Sequence, residues 1–350
     1  MLELDQILEK PPILEPQYPN KATSIIGGQA SGILSWNDVR EVLAYGRYKE
    51  LLGNFWTPFE INMTDDIKQY KQFSEKEKNT FRRINGLVAI LDSVQPRFFS
   101  VLIDYITDPA FQAALIVMGQ QEVVHNHSYS YVLSSIEKLE NQNIAFETAR
   151  TEKPIYERNK LITDIYENIR KEKITVKDLL EALIASITLE GVNFYSAFAY
   201  FYNLARNQRM VKTSTMIAYI NKDELVHTKV ITDILNQIIE ENPHLFEYVE
   251  SFATKFFDDV VQKEIEWSKY ILADEEDIDL FEMEEYIKYR ANKCLSMIRV
   301  KPIYTDINEN PMPWIRAFME ENTNLGKTDF FENRPRTYTK VSDDNGFDEL

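Results

Sequence analysis

Residues 122–125 read EVVH and residues 224–227 read ELVH, and the fold is best predicted from this repeated spacing. The first stretch follows Asp92 by 30 positions, and the second follows Glu190 by 34. On an α-helix, positions i and i+3 lie on one face, one turn apart, so the Glu and His of each stretch can reach the same metal ion. The pattern therefore predicts four helices that supply two lone carboxylates and two Glu-x-x-His pairs to a two-metal site.

The sequence around the lone carboxylates favours a buried site. Asp92 follows the apolar run 87–91, and Glu190 follows the largely apolar run 185–189. A carboxylate inside an apolar helix is costly to bury unless it is paired or binds metal. The alternative is that Glu122 and Glu224 are surface residues of amphipathic helices. The candidate ligands are Asp92, Glu122, His125, Glu190, Glu224 and His227.

The ligand types limit the metal. Four carboxylates with only two imidazoles suit iron or manganese better than zinc or copper, which prefer more nitrogen or sulfur. Two metal ions per chain are expected, and the ligands alone do not separate iron from manganese. The remaining histidines, His127 and His244, have no comparable setting and are predicted not to be ligands.

Composition narrows the class of protein. With 350 residues, 44% of them hydrophobic, the chain can bury a sizeable core, and only 10 glycines favour helices over sheets. A net charge of −17 argues against binding to nucleic acid or to an anionic membrane. No apolar run of 18 residues and no signal-peptide pattern are seen, so no membrane span is expected. The single Cys294 excludes an intramolecular disulfide and fits a reducing, cytoplasmic location.

The chain divides into three predicted parts. Residues 1–35 form a Pro-rich N-terminal arm with little regular structure. Residues 36–320 form one all-α domain, and residues 321–350 form a polar, acidic, flexible tail. Three helix starts carry N-cap signals: Ser74-x-x-Glu77, Asp108-Pro109 and Thr175-x-x-Asp178. These signals begin three ligand-bearing helices, the fourth runs from Met210 to about Glu240, and flanking helices are predicted at 246–272 and 283–299.

Tyr129 lies four residues after His125, on the same helix face. A tyrosine in a dry pocket beside an oxidising metal pair can lose an electron and a proton and become a stable radical. Phe194, Phe198 and Ile220 are expected to point to the same interior. Each of these side chains is equally well explained as an ordinary core residue.

With these motifs in place, the chain resembles the small, radical-generating subunit of class I ribonucleotide reductase. The resemblance extends from about Trp36 to the C-terminus. It implies an all-α, ferritin-like four-helix bundle with flanking helices, and it implies that the six candidate residues are the ligands. The matching segments are 55–58 (FWTP), 91–93 (LDS), 122–129 (EVVHNHSY), 190–195 (EGVNFY), 223–227 (DELVH), 301–304 (KPIY) and 313–314 (PW).

The resemblance also implies roles in radical transfer. Tyr129 corresponds to the radical-bearing tyrosine, and Phe194, Phe198 and Ile220 fall on its apolar pocket. Trp56, Asp223 and His125 match a hydrogen-bonded relay between the surface and the metal. In the tail, Tyr338 matches the tyrosine that passes the oxidising equivalent to the large subunit, and Glu332 falls where an acid assists this transfer.

The implied partners follow from the same resemblance. They are a second copy of the chain in a homodimer, a large subunit that the C-terminal tail docks onto, and an activating flavoprotein or ferredoxin. The implied activity is reduction of ribonucleoside diphosphates, with di-iron favoured and manganese or a mixed pair as alternatives. The main rival is a ferritin-like di-metal oxidase that binds its own ligand. Iron storage would use similar ligands but needs neither Tyr129 nor Tyr338, and storage shells are built from much shorter chains. An inactive scaffold is less favoured because no ligand position is substituted.

Overall fold

Eleven α-helices make up most of the chain in the computed structural model, which describes residues 1–273, 275 and 277–318. The predicted all-α class is confirmed. The helices are α1 Val42–Gly53, α2 Thr64–Tyr70, α3 Glu75–Leu102, α4 Pro109–Ile136, α5 Leu139–Thr151, α6 Lys153–Asn168, α7 Val176–Thr188, α8 Tyr195–Arg206, α9 Val211–Glu241, α10 Phe246–Ile271 and α11 Leu280–Met297.

The bundle core is formed by α3, α4, α9 and the continuous α7–α8 rod. Helix α3 packs on α4, α4 packs on α9, and α9 packs on α7 and α8. Helices α1, α5, α6, α10 and α11 cover the outside of these four. Because α7 and α8 are buried on nearly every side, their sequence is apolar almost throughout.

The predicted N-caps are present. The Ser74 hydroxyl accepts from the Glu77 amide, and the Glu77 carboxylate accepts from the Ser74 amide. One carboxylate oxygen of Asp108 accepts from the first two free amides of α4, and Thr175 forms the same reciprocal box with Asp178 at the start of α7. These local bonds explain why three starts could be located from sequence.

The helix that carries Glu190 differs from the prediction. In place of one regular helix, a five-residue π-helix, Leu189–Asn193, separates α7 from α8. Helices α5 and α6 were also not predicted. Their polar sequences have no strong cap signal, and α6 begins at Lys153 after an N-cap residue whose side chain makes no cap bond.

The N-terminal arm has little regular structure, and it packs onto the helical domain. Strand β1, Ile7–Leu8, pairs antiparallel with β2, Ile174–Thr175. Ile25 and Ile26 are fully buried, and the Glu241 carboxylate accepts from the Ile25 amide. The folded body therefore includes part of the segment before Trp36, because these apolar side chains fill the core.

Two helical stretches, 75–105 and 176–206, are long and apolar enough to cross a membrane by length and composition alone. They are the bundle helices that bear Asp92 and Glu190. Of their most apolar windows, 56% and 100% respectively are buried inside the fold. A core helix of a bundle and a membrane-spanning helix are both apolar because both are surrounded by apolar groups. The apolar composition of these two stretches is therefore weak evidence for a membrane.

Candidate metal centre

The bundle brings all six predicted ligands into one buried cluster. Helix α3 supplies Asp92, α4 supplies two ligands, the π-helix supplies Glu190, and α9 supplies the last two. Every one of these side chains is 0% exposed. Ligand atoms within 4.8 Å of one another form two groups, Asp92/Glu122/His125/Glu224 and Glu122/Glu190/Glu224/His227.

Glu122 and Glu224 belong to both groups. Each carboxylate has two oxygens, so each can face both groups at once. Asp92 and His125 belong to one group only, and Glu190 and His227 belong to the other only. This arrangement fits two neighbouring metal positions with two bridging carboxylates and one imidazole each.

Both histidines present the same ring nitrogen to the cluster. His125 Nδ1 lies 3.0 Å from Glu224 Oε1, and His227 Nδ1 lies 2.8 Å from Glu122 Oε1. The Nε2 atoms point outward, where His125 Nε2 lies 3.1 Å from Asp223 Oδ2 and His227 Nε2 lies 2.9 Å from the Gln121 side-chain oxygen. An acceptor on the far nitrogen fixes the ring and leaves Nδ1 free for a metal.

The protonation of the metal-free cluster shows how crowded its charge is. Burial, and then repulsion from Glu122 and Glu224, raises the pKa of Asp92 well above its usual range. The pKa of Glu224 is raised well above its usual range by burial and by its neighbouring acids. Burial opposes charge on His227, yet the surrounding carboxylates raise its pKa well above 6.5. These acids need cations nearby to ionise together.

The unpaired atoms of the cluster fit metal ions. Buried polar atoms are nearly always hydrogen-bonded, so a group of buried acceptors without a donor calls for an explanation. Within the described part of the chain, the cluster atoms without a hydrogen-bond partner are both carboxylate oxygens of Asp92 and of Glu122, Nδ1 of His125, Oε2 of Glu190 and Oε1 of Glu224. They are the atoms that two divalent cations would bind.

Trp56 connects the cluster to the edge of the fold. Its indole Nε1 donates to Asp223 Oδ2 at 2.8 Å, and this same oxygen contacts His125 Nε2. The Trp56 and His125 rings are nearly parallel, with centroids 6.1 Å apart. Trp56 is 8% exposed, whereas His125 and Asp223 are fully buried. The three predicted relay residues thus form one hydrogen-bonded series.

Tyr129 lies in an apolar interior. It is 1% exposed, and its hydroxyl has no hydrogen-bond partner within the part of the chain that the structure describes. Burial, and then the charges of Asp92 and Glu224, raises its pKa well above 10. The predicted pocket residues Phe194, Phe198 and Ile220 are fully buried or nearly so. The phenol is therefore neutral and shielded from water.

Three polar residues around the cluster were not predicted. Gln95 donates to Glu190 Oε1, and the Tyr166 hydroxyl donates to the Gln95 side-chain oxygen at 2.8 Å. Gln121 accepts at His227, as described above, and donates to the Leu51 carbonyl oxygen. Gln95 follows Asp92 by three positions and therefore shares its helix face, which is the signal that could have identified it.

The two remaining histidines lie apart from the cluster. His127 is exposed and lies edge-on to Phe59, and His244 Nε2 contacts the Leu2 carbonyl oxygen. Neither histidine belongs to the two groups of ligand atoms. Glu332 and Tyr338 lie outside the described residues, together with the rest of the predicted tail from 321 to 350.

Similarity to known proteins identifies the family of this chain. Residues 33–311 match the family described as ribonucleotide reductase, small chain. The ribonucleoside-diphosphate reductase subunit beta of Halalkalibacterium halodurans is 45% identical, over 98% of this chain and 99% of that one. The ribonucleotide reductase R2 subunit from Clostridium botulinum is 34% identical with a TM-score of 0.87, over 90% and 99% of the two chains. The dimanganese(II)-NrdF of Streptococcus sanguinis is 22% identical with a TM-score of 0.70, over 82% and 99%, a similarity of fold alone.

Proposed function

Because this chain belongs to the small-chain family of ribonucleotide reductase and is the small subunit that pairs with a large subunit, we propose that its buried cluster binds two metal ions and generates the oxidising equivalent for ribonucleoside diphosphate reduction. The observation that carries the proposal is the pair of overlapping ligand groups, with Glu122 and Glu224 common to both. Family membership supports a two-metal site, and the residue assignment rests on the geometry of this chain.

The proposed ligands neutralise their metals. Four carboxylates balance the charge of two divalent ions, and the two imidazoles bind as neutral ligands through Nδ1. Iron is our favoured metal, with manganese or a mixed pair as the alternatives. Manganese is named in the structure from Streptococcus sanguinis. The loaded metal pair supplies a strong oxidant on exposure to oxygen.

Tyr129 is the proposed radical residue. It gives up one electron and its phenolic proton to become a neutral tyrosyl radical. Its raised pKa keeps the phenol protonated until oxidation, so electron and proton leave together. Burial and the lack of hydrogen-bond donors around Oη keep water and reductants away from the radical.

Electron paramagnetic resonance (EPR) of iron-loaded protein exposed to oxygen tests this assignment. The wild type should give a tyrosyl signal that Tyr129→Phe lacks. Tyr195→Phe is the matched control, because Tyr195 is equally buried and its hydroxyl also has no hydrogen-bond partner among the residues that the structure describes. A signal that survives in Tyr129→Phe would remove the assignment. Metal analysis of the same samples identifies the bound ions.

The Trp56–Asp223–His125 series is the proposed exit for the oxidising equivalent. The hydrogen bonds of Asp223 hold the indole and the imidazole in fixed register, which favours transfer of an electron through Trp56. A di-metal oxidase that binds its own ligand, our alternative, has no need of such a series. Its presence supports the reductase function.

The assembly is proposed to be a homodimer. Ile116 and Val123 lie seven positions apart on one face of α4 and are 60% and 57% exposed. Phe59, 66% exposed, continues this stripe, since its ring lies 5.1 Å from that of His127 on the next turns of α4. Exposed apolar side chains in a row favour burial against a second copy.

The remaining proposals concern the tail and the cell. We infer that the acidic residues 342–350 dock onto the large subunit and that Tyr338, assisted by Glu332, passes the oxidising equivalent across. A flavoprotein or a ferredoxin is the proposed electron donor for activation. The buried, unpaired Cys294 supports a reducing, cytoplasmic location.

A further inference from the structure

The π-helix Leu189–Asn193 positions a ligand through an irregular backbone. A π-helix adds a residue to a turn and leaves carbonyl groups that neighbouring groups must satisfy. Two arginines from outer helices donate to such carbonyls. Arg290 Nε of α11 donates to the Gly191 carbonyl oxygen at 3.1 Å, and Arg158 Nη2 of α6 donates to the Asn193 carbonyl oxygen.

Arg158 is the centre of a buried network at the C-terminal end of the π-helix. Arg158 is 1% exposed and Glu264 of α10 is 0% exposed, with Nε and Oε2 2.5 Å apart. Glu264 also accepts from the Asn193 amide nitrogen, Nδ2, at 3.2 Å and from the Ser196 hydroxyl. The Arg158 guanidinium stacks over the Trp267 ring. Both the backbone and the side chain of Asn193 are therefore held by one ion pair.

Arg290 holds the middle of the π-helix. Its guanidinium carbon lies 3.5 Å from the centroid of the Tyr195 ring, so the arginine spans from α11 to the start of α8. A planar guanidinium that stacks and donates at once has little freedom to move away. The Gly191 carbonyl, next in sequence to Glu190, is fixed by this contact.

Gly191 also requires close approach to α11. A Cβ atom at this position would lie 2.3 Å from the Cys294 sulfur, far inside contact distance. Cys294 is fully buried and cannot turn out to solvent. The π-helix thus fits against α11 only with glycine at 191.

We propose that Arg290 and the Arg158–Glu264 pair are positioning residues for Glu190 and hence for one of the two metal positions. Glu190 belongs only to the ligand group that contains His227. The group with Asp92 and His125 is built from α3, α4 and α9, which are regular helices at these residues. Loss of the Arg290 or Arg158 contacts should therefore weaken binding at the metal position that contains Glu190 and leave binding at the other position unchanged. This inference rests on the proposed ligand set.

Titration of Mn²⁺ into the metal-free full-length chain, followed by EPR and calorimetry, tests the proposal. The wild type should bind two ions per chain as a coupled pair. Arg290→Gln should retain one tightly bound ion and lose affinity for the second by about tenfold or more. Its spectrum at one equivalent should show an isolated Mn²⁺ ion.

Arg82→Gln is the matched control. Arg82 is half-buried on α3 and pairs with Glu137 at 3.0 Å, so its loss removes one ion pair without touching the π-helix. Arg82→Gln should bind both ions as the wild type does, even if it melts earlier. If Arg290→Gln bound both ions with wild-type affinity, the proposed positioning role of Arg290 would be wrong. A wild type that binds no metal would instead refute the proposed ligand set.

A second pair of variants tests the close approach independently of Arg290. Gly191→Ala should weaken the second ion in the same way, because the new Cβ displaces the π-helix from α11. Adding Cys294→Ala should restore binding, since the atom that would be struck is gone. Unchanged metal binding in Gly191→Ala, or no recovery in the double variant, would contradict the proposal.

Discussion

Glu122 and Glu224 differ from the other proposed ligands because each faces both metal positions. Concentrating four carboxylates in a fully buried volume is unfavourable in the metal-free chain, and burial with mutual repulsion raises the pKa of Asp92 and of Glu224. Glu190 is the exception: despite its burial, hydrogen bonds from Glu224, His227 and Gln95 lower its pKa. The site therefore links metal binding, protonation and stability.

This linkage predicts how the metal-free protein responds to pH. The folded chain holds protons on Asp92, Glu224 and His227 that the unfolded chain releases near its ordinary pKa values of 3.8, 4.5 and 6.5. The folded state binds more protons, so its stability falls as pH rises through the raised pKa values. Each retained proton contributes about 1.4 kcal/mol per pH unit. The pKa values of Glu122 and His125 are raised as well, so Glu190, which acts in the opposite sense, is one group against five in the cluster.

Melting temperatures of metal-free and metal-loaded protein, measured from about pH 5 to about pH 9, check this expectation. The metal-free Tm should fall with pH, and the loaded Tm should stay nearly level because bound cations keep the carboxylates ionised. In metal-free Asp92→Asn the slope should be smaller, since one titrating group is removed. Parallel curves for the two wild-type forms would show that these shifts do not govern stability.

At the residue scale, spacing predicts only what a single helix decides. The two Glu-x-x-His pairs could be proposed as ligands because Glu and His at i and i+3 share a face of any α-helix. The contact of Gln121 with His227 joins α4 to α9 and depends on how these helices are rotated against each other. Nothing in the local sequence of Gln121 specifies that rotation.

At the scale of elements, the same distinction separates the capped starts from the π-helix. Ser74 and Glu77 are three residues apart and accept hydrogen bonds from each other's backbone amides, so the start of α3 is determined by its local sequence. The π-helix is stabilised by Arg158 and Arg290, which are 35 and 99 residues away along the chain from the carbonyls they bind. Its position could not be predicted from residues 189–193 alone.

Gly86 offers a test of element packing. It lies on α3 where α5 crosses, and a Cβ there would lie 2.5 Å from the Ala145 carbonyl oxygen and 2.9 Å from the Ala145 carbonyl carbon. Backbone cannot turn aside as a side chain can, so Gly86→Ala should force α5 outward. We expect a loss of about 1–3 kcal/mol in the free energy of unfolding, measured by denaturant titration.

Gly46→Ala is the control for helix propensity. Gly46 lies within α1, and its added Cβ would meet no atom within 4 Å. Alanine should stabilise this exposed helix position by about 0.5–1 kcal/mol. If Gly86→Ala were as stable as Gly46→Ala, the tight α3–α5 contact would be excluded.

At the scale of the whole molecule, the stripe of Ile116, Val123 and Phe59 predicts the oligomeric state. Val123→Glu would place a charge in the proposed interface and should shift the protein from dimer to monomer in analytical ultracentrifugation. Phe281→Glu is the control, because Phe281 is 70% exposed at the start of α11, a helix that contributes no residue to the stripe. Dimers that persist in Val123→Glu would place the interface elsewhere.

The composition of the N-terminal arm predicts its backbone but not its packing against the rest of the molecule. The Pro-rich arm has little regular structure, yet its Ile25 and Ile26 complete the core of the helical domain. Proline content predicts the absence of helix but carries no information on tertiary contact. Two isoleucines in a loop are too few to predict that the segment is buried.

The proposed role of the tail is to link this chain to the large subunit. The lone Cys294 cannot supply a reducing dithiol, so substrate reduction must occur on the large subunit and the oxidising equivalent must cross between chains. Deleting residues 342–350 should abolish complex formation in a binding assay while metal content and the tyrosyl signal remain. Tyr338→Phe should assemble normally but stop turnover, because phenylalanine is much harder to oxidise and has no phenolic proton. Tyr304→Phe, which changes a tyrosine bonded to Asp258 on the folded body, is the control and should turn over. Normal deoxyribonucleotide production by Tyr338→Phe with its large subunit would rule out transfer through the tail.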